Sequence, residues 1–201
     1  MPPASEFTIT FAGALYGTRT LRPFLRVLED LVRAEKIPLD RLRVRVIGPS
    51  WEQIRSDLAG SALERRVDAP GQLSHAETLR HMRATTLNLL VDIIYQGPNI
   101  HVPGKLYEYL KAGRPVLALS VPGQTESLIR EAEAGWVVPP GDEAALRAVL
   151  VSAFEDWQAG RALPRPRQEV AQRDDRARQA GRRVEVLQEC IERVRKGKGS
   201  A

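Results

Sequence analysis

The stretch VPGKLYEYLKAGRPVLALS, residues 102–120, indicates how the whole chain folds, because it reads as a loop, a helix and a strand in succession. Gly104 is predicted to begin the helix. Leu106 and Leu110 give the helix an apolar side, since residues four apart lie on one helix face. Gly113 is predicted to end the helix in a left-handed conformation.

The residues after this helix predict a strand of a parallel sheet. Pro115 cannot continue a helix, and residues 116–119, VLAL, form a continuous apolar run. Such a run is typical of a parallel strand that is covered by helices on both faces. The stretch therefore favours an α/β protein.

The rest of the chain repeats this alternation. Strands are predicted at residues 7–13, 42–48, 67–71, 85–91, 116–119 and 136–138, and helices at 21–33, 51–63, 74–83, 104–113, 124–134, 142–157 and in the C-terminal tail. Ser74 and Glu77 match a capping box, which marks a helix start. Six strands that alternate with helices predict a doubly wound, parallel six-stranded sheet of Rossmann-like type.

The composition is that of an ordinary globular protein, with 201 residues of which 43% are hydrophobic and 27% charged. No stretch reaches the roughly 18 apolar residues of a membrane span, and the first residues have no signal-peptide pattern. The single cysteine, Cys190, cannot form an internal disulfide, which agrees with a reducing compartment. We therefore expect a cytoplasmic protein, either free or at the inner face of the membrane.

Positive charge is concentrated near the C-terminus. Residues 161–201 contain twelve Lys and Arg and six Asp and Glu, a net charge of +6. Residues 1–160 contain eighteen Lys and Arg and nineteen Asp and Glu, a net charge of −1. A basic tail is typical of nucleic-acid or anionic-lipid binding, but no aromatic residue follows Trp157 to stack on bases. We predict a domain at 1–160 and a solvated helical tail at 161–201. An apolar stripe in the tail consists of Val184, Leu187, Ile191 and Val194.

The predicted ligand site lies beyond the carboxyl ends of the strands, as in other doubly wound sheets. Three of these ends are glycines, Gly13, Gly48 and Gly71, which let a ligand approach the backbone closely. Lys105 lies in the first turn of a helix, where a cation opposes the helix dipole unless an anion is bound there. The alternative for Lys105 is a surface ion pair with Glu108, worth under about 1 kcal/mol.

Several common chemistries lack their motifs. There is no G-x-G-x-x-G after the first strand and no P-loop, which argues against dinucleotide dehydrogenases and P-loop enzymes. His75, His81 and His101 have no metal-ligand spacing, and no nucleophile elbow is present. Asp-x-Asp is also absent, so no carboxylate pair for a divalent metal is predicted.

Five sequence blocks occur in the order expected of one family. They are GALYGTR at 13–19, VIGPSWE at 46–52, APGQLSHAETL at 69–79, PGKLYEYLKAGRPVLA at 103–118 and AEAGWVVPPGDEAALRAVL at 132–150. Together they resemble the C-terminal, nucleotide-sugar-binding domain of retaining glycosyltransferases with the GT-B fold, in glycosyltransferase family 4. The resemblance covers about residues 7–155 and implies that the sheet is one half of a GT-B fold.

The resemblance implies roles for individual residues. Glu108 occupies the place of a helix-borne glutamate that hydrogen-bonds the donor ribose, and a carboxylate can accept from both ribose hydroxyls. Ile100 stands where the family has another glutamate. Lys105 becomes a candidate diphosphate ligand. The family has an arginine at the position of Ala14. Arg19 is a candidate to take its place. The alternative is that Arg19 is an exposed loop residue.

Residues 71–73 resemble the sheet edge with which the family contacts the nucleobase through backbone groups. The predicted donor contacts are Lys105 and Arg19 for catalysis, and Glu108, Gly13, Gly48, Gly71, Gln72, Leu73, Gly104 and Leu106 for binding. No metal or other cofactor is expected besides the nucleoside-diphosphate sugar, since cations and helix N-termini can neutralise a departing diphosphate.

The resemblance also implies that this chain is only part of an enzyme. The family binds its acceptor mainly with an N-terminal domain, and this chain begins directly at the first strand. We therefore predict the donor-binding half of a glycosyltransferase, inactive alone, with its tail packed on this domain or on the N-terminal one. The alternatives are a non-catalytic nucleotide-binding subunit, half of a nucleotide-sugar epimerase, and a nucleic-acid-binding protein.

Overall fold

The computed structural model describes residues 5–17, 19–93 and 101–173, which form a parallel six-stranded sheet between two layers of helices. The strands are β1 (Phe7–Ala12), β2 (Leu42–Ile47), β3 (Val67–Gly71), β4 (Leu87–Val91), β5 (Val116–Leu119) and β6 (Gly135–Val138). The helices are α1 (Arg22–Arg33), α2 (Trp51–Leu58), α3 (His75–Ala84), α4 (Gly104–Ala112), α5 (Gln124–Glu131), α6 (Glu143–Gln158) and α7 (Gln168–Arg173).

The strand order is β3-β2-β1-β4-β5-β6, and every neighbouring pair is parallel. This confirms the predicted doubly wound α/β sheet. The direction of winding reverses between β1 and β4, and in such sheets this switch point is where ligands bind.

The sheet is buried on both faces at its centre. All residues of β1, β4 and β5 are buried, as expected of parallel strands between two helical layers. One core layer contains buried residues of α1, α2 and α6, and the other contains buried residues of α3, α4, α5 and α7. The helix that follows β4, α4, therefore lies in the second layer.

The predicted helix ends agree with the structure where local chemistry is strong. Ser74 and Glu77 form both bonds of the capping box at the start of α3. Gly113 ends α4 in the left-handed conformation, with a φ of 70°. The Asp142 side chain accepts a hydrogen bond from the backbone N–H of Ala145, which fixes the start of α6.

The predicted helix at 51–63 is wrong in its second half. The helix ends at Leu58, and residues 62–66 form a short 3₁₀ helix instead. Gly60 between them has a φ of 74°, a left-handed conformation that interrupts an α-helix. The Ser61 side chain then caps the second segment.

Part of the predicted tail packs on the sheet domain. After an irregular segment, α7 lies against α4, and its Ala171 is buried. The backbone N–H of Arg167 donates to the carbonyl oxygen of Ala132 at 2.8 Å. The predicted stripe at residues 184–194, with Cys190, lies outside the described residues. None of the described helices combines the length and the apolar composition of a membrane span.

Candidate functional site

Three of the predicted site glycines lie side by side at the carboxyl edge of the sheet. The N–H of Gly13 donates to Ile47 at 2.9 Å, and the N–H of Gly48 donates to Gly71 at 2.9 Å. Gly48 has a φ of 130°, and a Cβ atom there would lie 2.2 Å from the carbonyl oxygen of Gly13. Only glycine fits at this position. With glycine also at 13 and 71, the edge from β1 to β3 exposes backbone groups that no side chain of these three residues covers.

Tyr109 fixes α4 against this edge. Its hydroxyl accepts the backbone N–H of Ala12 at 2.9 Å and donates to the carbonyl oxygen of Leu89 at 3.1 Å. The pairing of β1 with β4 ends at Phe11, so the tyrosine satisfies the first amide beyond the ladder. Burial raises the pKa of Tyr109, which keeps the hydroxyl protonated.

Sequence reasoning did not identify this role of Tyr109. The available signal was its position three residues after Leu106, on the apolar side of the predicted helix. A tyrosine on a buried helix face needs a partner for its hydroxyl. Which backbone groups provide that partner depends on the packing of α4 on the sheet.

Glu108, Lys105 and His75 meet beside the edge, and we call these three residues the edge cluster. Lys105 Nζ lies 2.8 Å from Glu108 Oε2, so the ion pair expected from the spacing is present. His75 Nδ1, on α3, lies 4.0 Å from the same oxygen. Glu108 Oε1 has no hydrogen bond from the described residues, and the side chain is 20% exposed. The cluster therefore presents one carboxylate oxygen that a ligand could use.

The remaining predicted contacts on this side differ in accessibility. Gln72 is exposed, whereas Leu73 is half-buried and packs on the second core layer. Gly104 is half-buried at the start of α4. Leu106 is fully buried, and its backbone N–H donates to Pro103 at 2.9 Å.

The loop after β1 carries Arg19 and an exposed aromatic ring. The guanidinium of Arg19 lies 4.6 Å from the ring centroid of Tyr16, which is 57% exposed. Arg19 Nε is buried and has no hydrogen-bond partner in the described part of the chain. The backbone N–H of Leu15 donates to Ser50 Oγ at 2.8 Å, which anchors the loop to the start of α2. Arg19 is thus held by stacking on Tyr16.

Asp92, which sequence reasoning missed, links the ends of β4 and β5 to α5. The buried carboxylate accepts hydrogen bonds from Ser120 at 3.0 Å, from Thr125 at 2.9 Å and from the Ile93 amide at 2.8 Å. It also borders a mostly apolar pocket of about 70 Å³ at the ends of β4, β5 and β6. An aspartate directly after a buried strand was the available signal.

The described residues include no group of three or more His, Cys, Asp or Glu that could hold a metal ion. Ile100, with the rest of 94–100, and Thr18 lie outside these residues. What the edge offers is bare backbone, a carboxylate and two cationic side chains. Such groups suit a ligand that contains both hydroxyls and phosphates.

The fold and this edge define an α/β domain of the Rossmann-like class. The family model for "Glycosyl transferases group 1" matches residues 6–156, about three quarters of the chain. The chain therefore belongs to the group 1 glycosyltransferases. No curated protein matches it.

Solved structures of glycosyltransferases share the fold at low sequence identity. Anabaena HepE in complex with UDP-glucose has a TM-score of 0.59 and 17% identity, over 92% of this chain and 49% of that one. WaaG, a glycosyltransferase of lipopolysaccharide biosynthesis, has a TM-score of 0.58 and 20% identity, over 75% of this chain and 38% of WaaG. A mutant of S. aureus TarM, solved with UDP, has a TM-score of 0.58 and 14% identity, over 75% of this chain and 29% of TarM.

These neighbours have the GT-B fold, and the six-stranded sheet matches one part of it. This chain spans less than half of the length of each of the three structures.

Proposed function

We propose that this chain is the donor-binding, C-terminal half of a retaining GT-B glycosyltransferase of family 4. The observation that carries the proposal is the Glu108 carboxylate, which lies at the ligand edge with Oε1 unused by the described residues. Tyr109, one residue later on α4, fixes this helix to the ends of β1 and β4. Fixed geometry matters because a ligand then binds without ordering the site first.

In the proposed complex, Glu108 accepts hydrogen bonds from the ribose hydroxyls. Lys105, three residues earlier and within 2.8 Å of Glu108, contacts the diphosphate. The base lies along the backbone at 71–73, which continues the glycine edge of Gly48 and Gly71. Arg19 is the second cation, since no carboxylate among the described residues pairs with it. HepE with UDP-glucose and TarM with UDP support a uridine nucleotide as the first ligand to test.

The proposed chemistry is the transfer of a hexose from a nucleoside-diphosphate sugar to an acceptor, in polysaccharide or glycoconjugate synthesis. Lys105 and Arg19 stabilise the negative charge that develops on the leaving diphosphate, which removes the need for a metal ion. The acceptor is oriented by an N-terminal domain that this chain does not provide. We place the complete enzyme in the cytoplasm or at the inner face of the membrane.

Calorimetric titration with UDP, GDP and ADP tests the proposal directly. We expect one of them to bind with a Kd on the order of 10–1000 μM, weak because only one half of the cleft is present. The matched nucleoside should bind more weakly, because it lacks the diphosphate. Equal affinities for nucleoside and diphosphate, or no binding of any nucleotide, would refute the proposal.

A turnover assay separates the half-enzyme from a self-contained enzyme or an epimerase. Orientation of reactants can lower a barrier by about 7–11 kcal/mol, and one half cannot orient an acceptor. Incubation with UDP-sugars, with and without sugar or lipid acceptors, should therefore release nucleoside diphosphate at the background rate. Multiple turnover by this chain alone would favour an epimerase or a complete enzyme.

A further inference from the structure

The edge cluster has fewer positive charges than a bound nucleoside diphosphate requires. Lys105 Nζ is already within 2.8 Å of Glu108 Oε2. A diphosphate adds at least two negative charges to that of Glu108. The two cations of the proposed site, Lys105 and Arg19, cannot neutralise all three. A negative field of this kind favours protonation of a nearby base.

His75 is in the position to accept that proton. Its Nδ1 lies 4.0 Å from Glu108 Oε2, on the neighbouring helix α3. The ring is 71% exposed, so it exchanges protons with solvent without rearrangement of the core. Histidine is also the side chain whose charge changes most readily near neutral pH.

The other charged groups near the start of α3 are already engaged. Glu77 accepts hydrogen bonds from the backbone and hydroxyl of Ser74 at 3.0 and 2.6 Å, and its other oxygen lies 3.8 Å from Arg80. From α4, Lys105 and Glu108 are the charged residues that belong to the cluster. A change of charge at His75 therefore acts mainly on Glu108.

We propose that His75 is a positioning residue that takes one proton from solvent when a nucleoside diphosphate binds, and so holds Glu108 in place while Lys105 contacts the phosphates. This inference rests on the proposed nucleotide site. Binding of the nucleotide and of the proton are linked, so each must strengthen the other. Affinity should rise as the pH falls through neutrality, by at most about tenfold per pH unit for one proton.

The first test measures proton uptake during binding. UDP is titrated into the full chain at pH 7 in buffers with different ionisation enthalpies, and the slope of heat against ionisation enthalpy gives the protons taken up. We expect uptake of a measurable fraction of a proton. The His75→Gln variant should bind UDP less than about tenfold more weakly at this pH, without proton uptake. His81→Gln is the matched control, since it removes a histidine of the same helix and should retain the uptake.

Two results would overturn the inference while leaving the proposed function intact. One is UDP binding by the wild-type chain without proton uptake, and the other is unchanged uptake in His75→Gln. Failure of UDP, GDP and ADP alike to bind would instead refute the proposed function.

A second test needs no nucleotide. Substitution Lys105→Met removes the competing cation from Glu108, as the diphosphate is proposed to do. In NMR titrations, the midpoint of the His75 ring signal should then move to higher pH, while the His81 signal stays in place. An unmoved His75 signal would overturn the inference even if UDP did not bind.

Discussion

Two groups of charged residues lie on the α3 side of the sheet, and they differ in how fully their hydrogen bonds are satisfied. The first is the edge cluster. The second, which we call the strand cluster, consists of Glu6, Arg43, Arg45, Arg66, Asp68 and His81 on and around β2 and β3. Both contain a histidine and a partly buried carboxylate that is ion-paired with a basic side chain.

In the strand cluster both carboxylate oxygens of Glu6 are occupied. Arg43 donates to both oxygens of Glu6, at 2.7 and 3.0 Å, and Arg66 donates to one of them at 3.1 Å. The bidentate Arg43 guanidinium lowers the pKa of Glu6. Arg45 bridges Asp68 at 2.9 Å and His81 at 3.0 Å. A carboxylate as fully bonded as Glu6 can stabilise the fold but has little left to offer a ligand.

In the edge cluster one carboxylate oxygen has no bond from the described residues, and the histidine is 4.0 Å away. An unsaturated charged group at the carboxyl edge of a doubly wound sheet is what a ligand site requires. Asp68 in the strand cluster also keeps one oxygen without a bond from the described residues. An unsaturated carboxylate therefore indicates a binding site only together with its position at the carboxyl edge of the sheet.

The largest expected effect is on nucleotide binding by Glu108→Ala. Loss of hydrogen bonds from ribose to a charged acceptor should weaken binding by about 1.5–3 kcal/mol, or about 10- to 150-fold, with little change in stability. Calorimetry measures the affinity. Glu29→Ala is the control, because Glu29 has a similar exposure of 19% and a helical ion pair with Arg33. Equal affinities of the two variants would remove Glu108 from the site.

Tyr109→Phe should affect stability and binding together. The change leaves the buried Ala12 N–H and Leu89 carbonyl without their hydroxyl partner, at a cost of about 1–3 kcal/mol in the free energy of unfolding. Because α4 then loses its tie to the strand ends, we expect UDP affinity to fall as well. Urea denaturation and calorimetry measure the two effects, and an unchanged stability would contradict the assigned role.

Glu6→Ala should show the opposite profile to Glu108→Ala. Removing the shared acceptor leaves Arg43 and Arg66 facing each other, and we expect a loss of about 1–2 kcal/mol in unfolding free energy, limited by partial solvent exposure. UDP affinity should stay within about twofold, since Glu6 precedes β1, at the opposite end of that strand from the proposed site. A marked loss of affinity without loss of stability would reverse the roles given to the two clusters.

The smallest effect is the pH dependence of stability from His81. Burial, together with the positive charge of Arg45, lowers the pKa of His81 below its ordinary value of 6.5. The unfolded chain therefore binds a proton more readily than the folded one, and stability should fall as the pH drops from 6.5 towards the lowered pKa. The carboxylate Glu6 contributes only below its ordinary pKa of 4.5.

The variant His81→Asn keeps a hydrogen-bond acceptor but cannot titrate in this range. Its unfolding free energy should be flatter than that of the wild-type chain between pH 6.5 and 5, as measured by urea denaturation at each pH. An identical pH profile for both proteins would assign the acid sensitivity to another group.

The amino-acid sequence by itself determined the alternation of strands and helices, the ends of α3 and α4 and the pairing of Lys105 with Glu108. These features depend on residues within four positions of each other, where helix geometry fixes the distances. The family blocks located the same helix. The second half of the predicted helix at 51–63 failed because a single glycine, Gly60, outweighed the apolar periodicity around it.

Only the tertiary structure decided which distant residues meet at the site. His75 reaches Glu108 because α3 packs on α4, and Tyr109 reaches Ala12, 97 residues away in sequence. Whether a carboxylate is saturated, as Glu6 is, also depends on side chains from several strands. Spacing along the chain cannot encode these contacts, because they follow from the packing of whole elements against each other.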